Sequence, residues 1–565
     1  MNSNPGNTKD HLDISAAERG LGSLFNSVNA GNRAFVLIAL LSFIGFALHA
    51  RGQDNIAGPL DNLLAVQAGT AITRTIGSGE AAGFSGAADF SGYEVLYSFC
   101  AAGGAKCTDG WQPEAGVIED TAGNLYGTTY RGGANGDGTV FKVDSEGKET
   151  VLHSFCSLAK CGDGSSPMGG VIHDDSWNLY GTAAYGGDEN GGTLFKLDSA
   201  GKATVLYSFC SVAICADGEN PEAGLIEDAA GNLYGTTSRG GAHSLGTVFK
   251  VDEAGKETVI YSFCAAASCA DGSTPMAGLV QDAEGNLYGT TQMGGANGWG
   301  TVFKVDSAGR ETVLYSFCPG KSCTDGEAPA AGLIRDAADN LYGTTALGGA
   351  NAHGTVFKVD GAGKETVIYS FAAASGWTDG ANPYAGLMRD AAGNLYGTTY
   401  AGGANAGGTA FKVDSRGKET VLYSFCPRGN CAGGDAPAAG LIEDAAGNLY
   451  GTTSAGDANG GGTVFRIAAQ KGTETSITLK ASPNPSTSGE DVTFTAIVVP
   501  APPDGESVAF MEGKKTLGTG ALSAGSASFS TSTLKVGTTL VTAVYSGDGN
   551  FDASKSKVLK QVVKK

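Results

Sequence analysis

Between residues 93 and 467 one short pattern of apolar and polar positions recurs seven times. In the third copy it reads AGLIED (Ala223–Asp228), NLYGTT (Asn232–Thr237), GTVFKVD (Gly246–Asp252) and ETVIYSF (Glu257–Phe263). Each run is short, rich in β-branched and aromatic residues, and bounded by glycine. None has helical spacing, so each unit predicts four β-strands. Leu225 and Ile226 are adjacent and both apolar, as are Val248 and Phe249, and Val259 and Ile260. Neighbours along a strand point to opposite faces, so both faces of each sheet are expected to be buried.

Two markers fix the period. Asn-Leu-Tyr-Gly starts at Asn124 and returns every 54 residues to Asn448, and Gly-Thr-x-Phe runs in step from Gly138 to Gly462. Four strands per period, seven times over, predict an all-β fold with a seven-bladed β-propeller. The array enters at Tyr93–Phe99, which reads as a fourth strand, and leaves at Gly462–Ile467, which reads as a third. The lone first segment is expected to complete the last blade and remove an open edge. A solenoid would need polar caps instead.

The turns are of two kinds. Strands one and two, and strands three and four, are joined by Asp-x-x-Gly, as in Asp228–Gly231 and Asp252–Gly255. Asp opens such a turn through its side chain and Gly takes the left-handed position. The second turn is expected to set Lys250 opposite Glu257 as a cross-strand ion pair, lost in the second unit, where Ala203 replaces Glu. All the long loops fall on the other side of the unit, where function is expected.

The flanks differ from the array. Residues 475–565 contain no cysteine and more Lys, Ser and Thr. Strands read there at Ser476–Ala481, Asp491–Val499, Ser507–Glu512, Ser526–Ser530, Thr538–Tyr545 and Lys557–Val563, the spacing of an Ig-like β-sandwich reached through a linker at 468–474. Residues 1–50 hold an apolar run, Ala34–Leu48, behind Arg33. It reads as a signal peptide cut after Ala50, with an uncleaved membrane anchor as the alternative, although the run is short of the roughly 20 residues a span needs. Residues 51–92 read as a Gly/Ala/Ser-rich spacer. Either reading of the leader puts residues 51–565 outside the cytoplasm.

The formal net charge is −20, and −19 of it lies in residues 93–471. That sign argues against nucleic acid and anionic lipid as partners, and leaves the membrane only the N-terminal anchor. The twelve cysteines form six local pairs: Cys100/Cys107, Cys156/Cys161, Cys210/Cys215, Cys264/Cys269, Cys318/Cys323 and Cys426/Cys431. The sixth unit has Ala372 and Trp377 at both places at once, as disulfide partners would. Zinc is the weaker alternative, because each unit offers two ligands where about four must converge. Each cystine closes a small loop, worth about 2 kcal/mol, and is expected to pin the connection from one unit's fourth strand to the next unit's first.

Positions that break the repetition are the candidate ligand contacts. After the Thr-Thr of strand two come Tyr130 and Arg131, Ser238 and Arg239, Gln292 and Met293, and Tyr400 and Ala401, with Tyr185 in the second unit. Trp111, Trp299 and Trp377 fall in long loops. Such side chains stack on sugars or anchor a protein partner; the plain alternative is that they cover glycine-rich loops. No catalytic residue, metal site or cofactor is assigned. His11 and His49 belong to the leader, while His153, His173, His243 and His353 occupy inequivalent positions, and no nucleophile elbow or phosphate loop occurs. Calcium at Asp217, Asp271, Asp325 and Asp379 of the Asp-Gly-x-x-Pro segments is an alternative to simple turn capping, and the seventh unit has Gly433 there.

The unit AGLIEDAAGNLYGTTSRGGAHSLGTVFKVDEAGKETVIYSF resembles the GloVer tandem repeat of exported bacterial proteins over residues 93–467. More loosely it resembles NHL-type propeller repeats. The tail, with PNPSTSGEDVTFTA and YSGDGNFDAS (Tyr545–Ser554), is similar to bacterial Ig-like repeats of cell-surface proteins. These resemblances imply an extracellular, non-enzymatic role and carry no ligand with them. The expected function is therefore a monomeric binding or structural module that presents its long-loop face to an extracellular glycan or protein. The rival is a propeller enzyme, a lyase or hydrolase of an extracellular polymer, marked by at least three polar groups converging at the channel mouth.

Overall fold

The computed structural model describes residues 92–101, 106–320, 322–427, 431–457, 459–469, 473–547 and 551–565. The segments read as leader and, but for Gly92, as spacer, together with part of the segment read as linker, lie outside these residues. Among the described residues there is no α-helix, and no helix long and apolar enough to cross a membrane.

The repeats form seven four-stranded sheets. In the third unit the antiparallel strands are Ile226–Glu227, Leu233–Thr237, Thr247–Val251 and Glu257–Ser262, in sequence order across the sheet. The expected phase repair is present: Tyr93–Ser98 pairs antiparallel with Thr463–Ile467, from Tyr93 opposite Ile467 to Ser98 opposite Thr463.

The first strand is shorter than the apolar run that predicts it. Its backbone serves a neighbouring sheet: Ala223 O accepts from Thr182 Oγ1 at 2.8 Å, a buried bond. The same bond links each unit to the next, and Thr452 Oγ1 to Ala115 O at 2.9 Å links the seventh back to the first. Apolar packing follows the same circuit. Val248 and Phe263 of the third unit meet Leu279, Leu287, Phe303 and Val305 of the fourth, and Phe99 and Val464 meet Val117, Leu125, Phe141 and Val143 of the first. The core thus lies between sheets, as adjacent apolar residues on one strand require. Each buried phenylalanine contributes roughly 2–3 kcal/mol. The glycine of Asn-Leu-Tyr-Gly makes room for it: a Cβ on Gly235 would stand 2.7 Å from the Phe249 ring and 3.0 Å from Leu225.

The ion pair expected between Lys250 and Glu257 does not form. Asp252 and Lys256 close the hairpin, with Asp252 N–H donating to Lys256 O at 3.1 Å and Lys256 N–H to Asp252 Oδ1 at 2.9 Å. The turn takes up one more residue, so Glu257 pairs with Val251 and Lys250 with Thr258. Lys250 Nζ lies 5.6 Å from the Tyr234 ring centroid instead. Glu257 is carried to the face of Val251, toward the preceding sheet.

The C-terminal region holds a three-stranded sheet, Ser476–Ser482, Val492–Val499 and Ser526–Thr531, and a second sheet of Ser486–Thr487, Leu559–Lys564, Gly537–Tyr545, Ser507–Glu512 and Lys515–Ala521, with Ser554–Lys555 on Gly537–Tyr545. Strict alternation of burial along Val492–Val499 points Val492, Phe494, Ala496 and Val498 into one core with Val508, Phe510 and Tyr545. The strand Lys515–Ala521 has no counterpart in the sequence reading, because Gly518 and Gly520 interrupt its apolar pattern. Arg416, in a tight turn of the sixth unit, reaches Glu506 of this region at 3.5 Å.

Candidate functional site

On the long-loop side, every unit ties two loops together. The residue after Thr-Thr and its successor pair with the stretch preceding the repeat's proline. In the third unit Arg239 and Glu219 exchange backbone hydrogen bonds at 3.0 and 2.9 Å, and Ser238 N–H donates to Asn220 O at 3.0 Å. Trp111 with Arg131, Ser165 with Tyr185 and Ser273 with Met293 repeat the bridge. Variable side chains therefore stand on a rigid, repeated backbone.

All six cysteine pairs are disulfides: Cys100 with Cys107, Cys156 with Cys161, Cys210 with Cys215, Cys264 with Cys269, Cys318 with Cys323 and Cys426 with Cys431. The cystine is not alone in pinning the loop, because the backbone of the second cysteine also holds it. Cys107 is buried, and its carbonyl oxygen accepts from Gly110 N–H at 2.8 Å and Gly133 N–H at 3.0 Å. Cys215 is half-buried, and its carbonyl oxygen accepts from Gly218 N–H at 2.9 Å and Gly241 N–H at 2.8 Å. The first cysteine contributes too, as Cys264 N–H donates to Gly272 O at 3.1 Å. In the sixth unit Ala372 and Trp377 keep the same bonds without any sulfur, at 3.1 Å to Gly380 O and 2.8 Å from Gly403 N–H. The backbone holds this loop, and the disulfide adds to it.

Inside the bridges lies a ring of glycines, from Gly116 to Gly440, one per unit. A Cβ on Gly170 would stand 3.2 Å from Gly116 O, and one on Gly116 would stand 3.3 Å from Gly440 O, so the ring runs around the full circuit. Two residues before these glycines stand Glu114, Glu222 and Tyr384, which the sequence reading passed over. A signal was present: the position after the repeat's proline reads Glu114, Met168, Glu222, Met276, Ala330, Tyr384 and Ala438 in turn, more varied than its surroundings.

These residues and several of the predicted ones act on one another. Arg131 lies 5.3 Å from the Tyr130 ring centroid and 5.9 Å from that of Trp111. Burial pushes the Glu114 carboxyl up, partly offset by Arg131. Burial pushes Glu222 up to about 7, against the Ser238 hydroxyl and Arg239, with the Glu114 charge adding to the rise. Ser238 Oγ donates to Glu222 Oε1 at 3.1 Å, while Oε2 is sealed from solvent without a partner. The Tyr185 hydroxyl is raised by burial and by the neighbouring Tyr130 and Glu222. Tyr400 is raised by burial, then by Asp435 and Glu114, and packs edge-on against Tyr384 at 5.7 Å. Residues from the first, second, third and sixth units thus share one electrostatic neighbourhood.

The other predicted residues stand apart. Gln292 holds the equivalent place in the fourth unit, its N–H on Thr274 O at 3.1 Å. Trp299 lies in an outer loop, 47% exposed. Trp377 packs against His353 at 4.2 Å. The aspartates weighed as calcium ligands have committed oxygens: Asp217 Oδ2 accepts from Tyr207 Oη, Ser211 N–H and Ser211 Oγ, each at 2.8 Å. This geometry fits loop capping.

A cleft of 710 Å³ opens on the tight-turn side, between the second and third units, lined by His173, Asp174, Glu227, Asp228 and Glu253 among others. There Trp177 replaces the turn glycine and stacks on His173 at 3.9 Å, a departure from the repeat that the sequence reading also passed over.

The family model of the Gloeobacter/Verrucomicrobia repeat matches residues 68–282, 264–433 and 378–535. A comparison with curated proteins finds no match. Among solved structures, an extracellular domain assigned to a one-component system of B. thetaiotaomicron is similar at 12% identity and a TM-score of 0.40, over 82% of this chain and 59% of that one. A structural-genomics protein of unknown function from Bacteroides thetaiotaomicron is similar at 13% identity and 0.33, over 66% of this chain and 96% of that one. A polysaccharide lyase, an ulvan lyase of family PL25 bound to its sugar, is similar at 10% identity and 0.23, over 69% and 83%. At these TM-scores the similarities say nothing of this chain's ligand.

Proposed function

The chain belongs to the Gloeobacter/Verrucomicrobia repeat family, and from that premise we propose that it is an exported, non-catalytic binding protein. In this reading the seven sheets are the blades of a closed propeller and the C-terminal region is an Ig-like spacer. The six disulfides support an oxidising, extracytoplasmic setting. The ligand, a glycan or a protein, docks on the long-loop face, centred on Glu114, Tyr130, Tyr185, Glu222, Tyr384 and Tyr400.

One observation carries the reading. Within residues 93–467 every exposed large apolar side chain among the described residues sits in a long loop, with Ile214 at 78%, Trp299 at 47% and Tyr400 at 44% the plainest. A tight-turn face without such residues and a long-loop face rich in them is the asymmetry of a one-sided binding surface. A glycan array probed with the full chain tests it. Binding should fall at least tenfold in the Tyr130→Ala/Tyr400→Ala double variant, with the melting temperature unchanged. Loss of binding through tight-turn substitutions alone would overturn the assignment.

A second reading rests on Glu222. A carboxyl pushed up to about 7 beside Ser238, Arg239 and Tyr185 suits general acid–base work on an extracellular polymer. Release of new reducing ends or unsaturated products from the bound glycan, abolished by Glu222→Gln, would favour it.

A further inference from the structure

At five of the seven junctions between sheets, three side chains act on one another near the outer strand. Tyr207 Oη donates to Asp217 Oδ2 at 2.8 Å, and the charge of that Asp reaches Glu257, which opens the fourth strand of the following sheet. The trio recurs in 54-residue steps with Asp271 acting on Glu311, Asp325 on Glu365 and Asp379 on Glu419. Across the join of last and first sheets it is Tyr97, with Oη on Asp109 Oδ2 at 2.8 Å, and Glu149. In all five, Oε1 of the glutamate is sealed from solvent with no hydrogen-bond partner, and Oδ1 of Asp109 is sealed and unpartnered as well.

The remaining two contacts show what the trio needs. Where the second unit has Ala203 for the glutamate, the tyrosine becomes His153, and its Nε2 stands 3.2 Å from Asp163 Oδ2. Where the seventh unit has Gly433 for the aspartate, the glutamate position is Tyr93, which stacks on Tyr423 at 3.7 Å and donates to Gly433 O. The glutamate occurs only opposite the aspartate, and an aspartate without it faces an imidazole.

Two ionised carboxylates in such a place would repel and leave a buried acceptor unmet. Among the described residues no ion pair reaches these glutamates: Lys148, Lys256, Arg310, Lys364 and Lys418, each next to one of them in the chain, are exposed turn residues. Protonation of the glutamate removes both the repulsion and the charge on the sealed oxygen. We propose that each of the five contacts holds one proton on its glutamate, so that the outer rim of the ring carries five proton-binding sites and loosens as they empty.

Burial, then the neighbouring aspartate charge, pushes Glu149, Glu257, Glu311 and Glu365 up to about 7 and Glu419 to about 8. The folded chain therefore holds protons that the unfolded chain releases at the ordinary carboxylate range. The contribution is complete below that range and is lost as pH rises through about 7 to 8.

The test is the melting temperature of the full chain from pH 5 to pH 9, beside the variant carrying Glu149→Gln, Glu257→Gln, Glu311→Gln, Glu365→Gln and Glu419→Gln. Wild type should lose at least about 5 °C across that range, and the variant less than half as much. Parallel profiles would overturn the proposal. Should the combined variant not fold, the infrared difference between wild type and Glu257→Gln at pH 6 decides: a protonated-carboxyl band lost in the variant supports the bound proton, and its absence refutes it.

Discussion

The two faces of the ring are made from the same repeat and behave oppositely. On the tight-turn face the side chains of each unit bind that unit's own backbone. Asp228 accepts from Ala230 N–H, Asn232 N–H, the Asn232 amide and Tyr234 Oη, all at 2.8–2.9 Å, and the set recurs around the ring. On the long-loop face the backbone bonds are equally uniform, yet the side chains they carry differ from unit to unit. Uniform backbone with variable side chains holds a surface rigid while leaving its chemistry free to diverge. Trp177 of the second unit and Asp339 of the fifth replace the turn glycine on the tight-turn face, and the acidic cleft at the second unit lies at one of these departures.

Substitutions on the two faces should therefore separate stability from binding. Asp228→Ala leaves two backbone N–H groups and a tyrosine hydroxyl without their charged acceptor and should cost about 3 kcal/mol in urea unfolding, with ligand affinity kept. Tyr400→Ala should do the reverse: affinity down at least about tenfold, stability within about 0.5 kcal/mol. Replacing Cys264 and Cys269 by serine should cost no more than about 2 kcal/mol, since the sixth unit holds the same loop without a cystine. Glu222→Gln should leave stability at pH 5 nearly unchanged and raise it at pH 8 by about 1–2 kcal/mol, because wild type ionises a buried, unpartnered oxygen there. Burial pushes Asp336 up, but the Asn340 amide and backbone and Tyr342 Oη outweigh it and hold the carboxyl at about 2. The tight turns accordingly keep their contribution until strong acid, where it falls as pH drops through that value. Lys250→Met should change stability by less than about 0.5 kcal/mol, since no ion pair is lost.

Much of the architecture was legible because it is local. Adjacent apolar residues such as Val248 and Phe249 reveal strands covered on both faces, Asp-x-x-Gly reveals the turns, and the early fourth strand at Tyr93 reveals its pairing with Thr463–Ile467. The candidate site was half legible. Tyr130, Arg131, Tyr185, Arg239 and Tyr400 stand out as breaks in the repeat, while Glu114, Glu222 and Tyr384 sit in runs that look like plain loop. Nothing local says that Glu114 and Glu222, two periods apart, come within electrostatic reach.

Within the repeats, sequence by itself determined the strands, their order, the cysteine partners and which side of each sheet carries long loops, because each follows from spacing within one period. Tertiary structure decided which side chains meet. One extra residue in the Asp252–Lys256 turn moved Glu257 from a predicted lysine to the face of Val251, within the field of Asp217. The circuit of sheets brought residues of distant units around one ring of glycines. Convergence depends on the sum of many small rotations around the ring, and no single period contains that sum.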